Sequence, residues 1–199
     1  VRKPRTKEYR QLELEVRSWG QDILNEYDGH WLETFTGKQM HFLHPSPDEI
    51  CIEDIAHALA LTCRFGGHCQ VFYSVAEHSA RVAGQCAQKE QMAALLHDAS
   101  EAYIHDITRP LKHSLLEYKG IEDKINQCIR AKFNIVMTKN IKLKDNVLLA
   151  TEARDLGFSR VDWADLPPPL TQQIVPWAWE SAERIFLMIY KEINERQNS

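Results

Sequence analysis

No stretch of this chain approaches the roughly 18 consecutive apolar residues of a membrane-spanning helix, and none of its five cysteines, Cys51, Cys63, Cys69, Cys86 and Cys128, stands in a CxxC pair. The first absence reads against a helical membrane span. The second, with the odd cysteine count, excludes a disulfide framework and a cysteine zinc knuckle and implies reduced thiols. Clustered positive charge is also missing: the formal net charge is −4 and the sequence pI is near 6.1. The one basic run, between Arg2 and Arg10, is short and terminal. Neither stable nucleic-acid binding nor an anionic membrane surface is therefore expected. The first residues carry charge where a signal peptide would need an apolar core, so the expected location is a reducing cytoplasm. There is no internal repeat and no low-complexity tract.

What is present suits a globular domain. Hydrophobic residues make up 44% of 199, enough to bury a core as one domain with a small appendage. Leu12, Val16, Trp19, Ile23 and Tyr27 recur at spacings of three and four, which predicts an amphipathic helix over 8–27. This sets residues 1–30 apart as a helical extension before a main domain over 31–199. "WLETFTGKQMHFL" alternates on either side of Thr36-Gly37-Lys38 and predicts a small β-hairpin.

Helical periodicity dominates the rest. "CIEDIAHALALTCR" predicts a helix that stops at Gly66-Gly67. Ser74 followed by Glu77 fits a capping box opening the next one. Further helices are expected at about 90–103, 113–133 and 141–156, and a last one from near Pro176 to Ile193. "DLPPPL" between them reads as an extended loop. The expected architecture is all-α, a helical bundle with one N-terminal hairpin.

Within "MAALLHDASEAYIHD" an apolar run meets His97 and Asp98, with Glu101 and Asp106 following. On one continuous helix His97, Asp98 and Glu101 share a face otherwise built of alanine and leucine. Burying such groups is costly without compensation, and a metal ion compensates. His78 falls in the stripe of Val75, Val82 and Cys86. Asp145 falls with Ile141, Leu148, Leu149 and Leu156. Imidazole and carboxylate projected from several helices into one core suit a single divalent transition metal, Zn, Co, Mn, Fe or Ni.

The order His78, His97-Asp98, Asp145 resembles the HD superfamily of metal-dependent phosphohydrolases. Glu101, Asp106 and "TRPLK" extend the likeness toward small bacterial 5′-deoxynucleotidases. "IEDIAHALALTCRFGGH" and "FYSVAEHSARV" resemble a branch that includes phage dATP triphosphohydrolases. The resemblance covers roughly residues 33–190. It implies the HD-domain bundle, with His78, His97, Asp98 and Asp145 as metal ligands and Glu101 and Asp106 as the acids that order water and handle protons. It also implies Arg64 and Lys112 near phosphate, Mg accompanying the substrate phosphates, and a homodimer or higher homo-oligomer.

The expected activity is (deoxy)nucleotide hydrolysis, as a dNTP triphosphohydrolase or a 5′-deoxynucleotidase. Gly66-Gly67 permit close backbone approach to a ligand, and a guanidinium such as that of Arg64 fits phosphate. His68 beside them is a candidate for phosphate or base contact. His57, His105 and His113 read as structural or exposed. Signalling-nucleotide hydrolysis and di-iron chemistry would each need further histidine or acidic motifs that "HDASEAYIHD" lacks. The non-enzymatic alternative, a degenerate HD domain serving as a nucleotide-binding or signalling module, should have lost ligands, whereas every candidate ligand is present.

Overall fold

A computed structural model describes residues 31–158 and 166–197. The chain divides into two units, Val1–Trp31 and Leu32–Ser199; the helix expected over 8–27 lies outside the described residues. The expected hairpin forms from β1 (Trp31–Glu33) and β2 (Gln39–His41). Gly37 takes φ +81 in its turn, a conformation that glycine adopts without steric cost. The turn is fastened to the bundle by buried Asp54, which accepts hydrogen bonds from Thr36 N (2.7 Å) and Thr36 Oγ1 (3.0 Å).

The remaining regular elements among the described residues are helices: α1 (Ile52–Leu61), α2 (Val75–Gly84), α3 (Gln91–Leu95), α4 (Glu101–Ile104), α5 (Arg109–Lys112), α6 (Leu116–Phe133), α7 (Lys139–Asp155) and α8 (Trp179–Gln197), with short 3₁₀ turns between some of them. No helix among the described residues is long and apolar enough to cross a membrane. At the centre is α2. Ser74 Oγ caps it by accepting from Glu77 N at 3.1 Å, as the sequence predicts, but Glu77 does not complete the reciprocal box. Its buried carboxylate instead accepts from Arg81 Nε (2.9 Å) and Trp177 N (2.8 Å). Small residues Ala76, Ser79, Ala80 and Ala83 leave α2 buried on nearly every side, and it packs against α1, α3, α7 and α8.

Three expected boundaries move, each for a local reason. The first helix ends at Leu61 rather than at the glycines, because Thr62 and Cys63 turn extended. Cys63 forms an antiparallel bridge with Ser74, closed by Arg64 N to Tyr73 O (2.9 Å) and Val75 N to Thr62 O (3.0 Å). The helix expected at 90–103 is broken. Leu96 leaves helical geometry at φ −103, ψ 12, and residues 96–100 form tight turns bonded from Ala99 N to Leu96 O and from Glu101 N to Asp98 O. The last helix starts at Trp179 because Trp177 N is committed to Glu77, its ring lies under the Arg81 guanidinium at 4.6 Å, and Ala178 O receives the first helical bonds.

Candidate metal centre

Four side chains from three parts of the fold converge on one point. α2 supplies His78, fully buried. The tight turns between α3 and α4 supply His97 and Asp98, so these two stand in the helix break rather than on the continuous helical face expected of them. α7 supplies Asp145, seven residues along from Thr138, whose hydroxyl caps that helix. His78 Nε2 lies 3.3 Å from His97 Nε2, 3.3 Å from Asp145 Oδ1 and 3.6 Å from Asp98 Oδ2. His97 Nε2 is 3.2 Å from Asp98 Oδ2.

The far side of each imidazole is already engaged. His97 Nδ1 donates to Ala94 O at 2.8 Å. His78 Nδ1 donates to Glu152 Oε1 at 2.6 Å. With both Nδ1 atoms holding protons, both neutral rings turn a bare Nε2 lone pair toward the other. Such a pair at 3.3 Å needs positive charge beside it, supplied either by a further proton or by a cation. Two imidazoles and two carboxylates, oriented from behind by a carboxylate and a carbonyl, fit a divalent transition metal. The ligand atoms of His78, His97 and Asp98 already lie within 4.8 Å of one another.

The titration behaviour follows from this crowding. Burial and Arg64 pull the His78 imidazole down, but Glu152 and Asp145 outweigh them and hold it at about 9. Burial pushes the Asp98 and Asp145 carboxyls up, and the two histidines overcome that and hold both well below the usual carboxylate range. Lys142 also pairs with Asp145.

Glu101, on α4, behaves in the opposite way. Burial raises its carboxyl well above the ordinary value, and Asp98 and Asp106 raise it further. Its Oε2 has no hydrogen-bond partner among the described residues, and Oε1 is 3.8 Å from Lys112 Nζ. Lys112 itself is held at 2.7 Å by Glu122. Asp106 follows His105, whose φ of 63 and ψ of 161 lie in a region that only glycine occupies without strain. From there Asp106 accepts Phe65 N at 3.2 Å.

A cleft of about 790 Å³ opens over the cluster. Asp98, Glu101, Asp106 and Asp145 line it together with Arg64, Arg109, Lys112 and Lys142, while Phe65, Leu149, Phe158 and Leu166 give it an apolar wall. Arg64 lies almost fully buried, with Nη2 3.2 Å from Glu152 and Nη1 3.5 Å from Asp98. Its neighbours Phe65, Gly66 and Gly67 all take positive φ, which turns the chain tightly at the cleft edge. His113 also lines the cleft. His68 is exposed and does not line it. His57 stacks on Phe35 at 3.8 Å and bonds Glu183 at 3.3 Å, away from the cluster.

Sequence reasoning missed Glu152 altogether, although a signal was present. It lies two helical turns beyond Asp145 on the stripe that also carries Leu149 and Leu156, so an inward carboxylate was legible from spacing alone.

No protein-family profile matches the chain. Similar proteins do exist. The chain is 39% identical over 171 residues to the uncharacterized protein YfdR of Escherichia coli (strain K12), covering 83% of this chain and 96% of YfdR. It is 32% identical over 149 residues to the uncharacterized protein RCAP_rcc00048 of Rhodobacter capsulatus, covering 66% of this chain and 76% of that one. The chain belongs to the family of these proteins.

Proposed function

We propose that this member of the YfdR family is a metal-dependent phosphohydrolase of the HD type acting on (deoxy)nucleotides, as a dNTP triphosphohydrolase or a 5′-deoxynucleotidase. One observation carries the reading: four metal-type ligands, His78, His97, Asp98 and Asp145, converge beneath a cleft that pairs cationic side chains with a buried carboxyl, Glu101, whose Oε2 has no hydrogen-bond partner among the described residues.

His78, His97, Asp98 and Asp145 would hold the ion. A bound divalent cation supplies positive charge to phosphoryl oxygens and lowers the pKa of water from about 16 toward about 7. The chain's own residues do the rest. Arg64, Arg109, Lys112 and Lys142 bring positive charge to the cleft and so favour a phosphate ester over a neutral substrate. Phe65 and Phe158, with ring centroids 4.6 Å apart, offer the apolar wall against which a base can pack. Glu101, its carboxyl raised above the ordinary value by burial and by Asp98 and Asp106, is the group that takes a proton from the attacking water and passes it on. Asp106, on the cleft wall, orders water beside it.

The test is turnover of each nucleoside mono-, di- and triphosphate, deoxy and ribo, with added Mn²⁺, Co²⁺, Zn²⁺, Fe²⁺ or Ni²⁺, with and without Mg²⁺, detecting phosphate, pyrophosphate and triphosphate separately. Triphosphate from a deoxynucleotide identifies a triphosphohydrolase. Phosphate from monophosphates identifies a nucleotidase. No product with any metal leaves a nucleotide-binding or signalling module.

A further inference from the structure

Glu152 has a place in the centre that no ligand role explains. It is fully buried, a costly position for a carboxylate unless both oxygens are satisfied. They are: Oε1 accepts from His78 Nδ1 at 2.6 Å and Oε2 from Arg64 Nη2 at 3.2 Å. A counter-charge for Arg64 alone would need only one of these contacts, and the shorter of the two goes to the histidine.

Two features make the arrangement more than a local ion pair. The first is that α7 grips one imidazole from both ends. Asp145 Oδ1 lies 3.3 Å from Nε2 of His78, and Glu152 Oε1 lies 2.6 Å from its Nδ1. The two acids are seven residues apart, about 10 Å along a helix at 1.5 Å per residue, a distance that the width of the ring and the two side chains together span. The ring therefore cannot rotate about its Cβ–Cγ bond without losing a carboxylate. The second is that the contacts close on themselves. Glu152 holds Arg64, Arg64 Nη1 reaches Asp98 Oδ2 at 3.5 Å, and the same Asp98 oxygen lies 3.6 Å from His78 Nε2.

We propose that Glu152 is the positioning residue of the metal centre, fixing His78 directly through Nδ1 and Asp98 indirectly through the Arg64 guanidinium. This rests on the metal centre proposed above. It gives Arg64 a second role, in which one edge of the guanidinium organises the ligands while the side chain lines the cleft. The general physics supports it: a ligating imidazole whose second nitrogen donates to a carboxylate is held in one tautomer and one orientation, and the loss of that partner weakens metal affinity by about 10–100-fold.

The experiment is Co²⁺ titration of the full chain, read by calorimetry and by the visible absorption of the bound ion, on wild type, Glu152→Gln, Glu152→Ala and Arg64→Ala. Glutamine keeps the size, and its oxygen can accept from His78, but its amide then faces the Arg64 guanidinium. The expected result is Co²⁺ affinity lowered about 10–100-fold in Glu152→Ala, less in Glu152→Gln and Arg64→Ala, with an altered visible spectrum and an unchanged circular dichroism spectrum. In the Glu152→Gln background, Arg64→Ala should cause little further loss, because both act through one chain of contacts. Wild-type affinity and spectrum in folded Glu152→Gln and Arg64→Ala would overturn the proposal, even where Glu152→Ala fails to fold. A wild type that binds no Co²⁺ overturns both this inference and the metal centre. Weakened binding in the variants, together with no nucleotide turnover by wild type, upholds Glu152 and removes the phosphohydrolase reading alone.

Discussion

His78 Nε2 and His97 Nε2 face each other at 3.3 Å while their other ring nitrogens are tied to Glu152 and Ala94. Two imidazoles, one on α2 and one in the turns between α3 and α4, meet in this way only when positive charge is shared between them. With a divalent ion, affinity and stability are linked: a ligand present at 100 times its Kd stabilises the fold by about 2.7 kcal/mol. For a chain of this size that corresponds to a rise in Tm of about 5–10 °C. Thermal melts with and without Mn²⁺, Co²⁺ or Zn²⁺ check this, and EDTA should reverse the rise. In Asp98→Ala the rise should vanish along with turnover while helical content stays near wild type. Full activity in that variant would remove the metal from the mechanism.

Glu101→Gln separates binding from chemistry. In the proposed mechanism Glu101 handles the proton and is not one of the metal ligands, so the variant should retain wild-type Co²⁺ affinity and lose about 10²–10⁴-fold in kcat. Calorimetry beside single-turnover kinetics measures the two together. An unchanged kcat would reduce Glu101 to a structural acid.

Gly157 closes α7 at φ +97, and a Cβ placed there would come within 2.4 Å of the Gln70 side chain. Gln70 belongs to the loop that begins at Arg64, and its N bonds Leu156 O at 3.2 Å. Gly157→Ala should therefore destabilise the fold by about 1–3 kcal/mol, seen as a lower urea midpoint with an unchanged m-value. Adding Gln70→Ala should restore the part due to crowding and leave the part due to backbone strain.

Asp155 anchors the segment after the proline loop. Its carboxylate accepts Ile174 N at 2.8 Å and pairs with Arg154 Nε at 2.7 Å, and Arg154 in turn donates to Gln172 O at 2.9 Å. Arg154 foremost, with the Ile174 amide, holds the Asp155 carboxyl below its ordinary value against the opposing effect of burial. A carboxyl lowered by folding binds fewer protons in the native state than in the unfolded one. Its contribution to stability is thus full above the unfolded value near 4 and lost as pH falls through the lower folded value. Melts between pH 6 and pH 2.5 should show a shallower acid-side loss for Asp155→Asn than for wild type. Equal slopes would show that other carboxylates carry the acid response.

Much of the fold was legible in one dimension. Period-3.6 stripes locate the helices, alternation around Thr36-Gly37-Lys38 locates the hairpin, and Ser74 caps α2 as its spacing predicts. What was not legible came from competition between local and long-range bonding. The periodicity of 52–63 continues past Leu61, yet a bridge from Cys63 to Ser74 takes the backbone groups that a longer helix would use. Glu77 looks like half of a capping box, yet its carboxylate is drawn to Trp177, a hundred residues away.

The sequence by itself determined the mostly helical architecture and the inward direction of His78 and Asp145, because helical spacing dictates which side chains share a buried stripe. Tertiary structure alone decided how those side chains meet. The break at Leu96 sets His97 and Asp98 in a turn, the packing of α7 against α2 brings Glu152 to the back of His78, and the Arg64 turn reaches both Glu152 and Asp98. The distances among these groups depend on contacts between residues 19 to 88 positions apart, and no local periodicity encodes them.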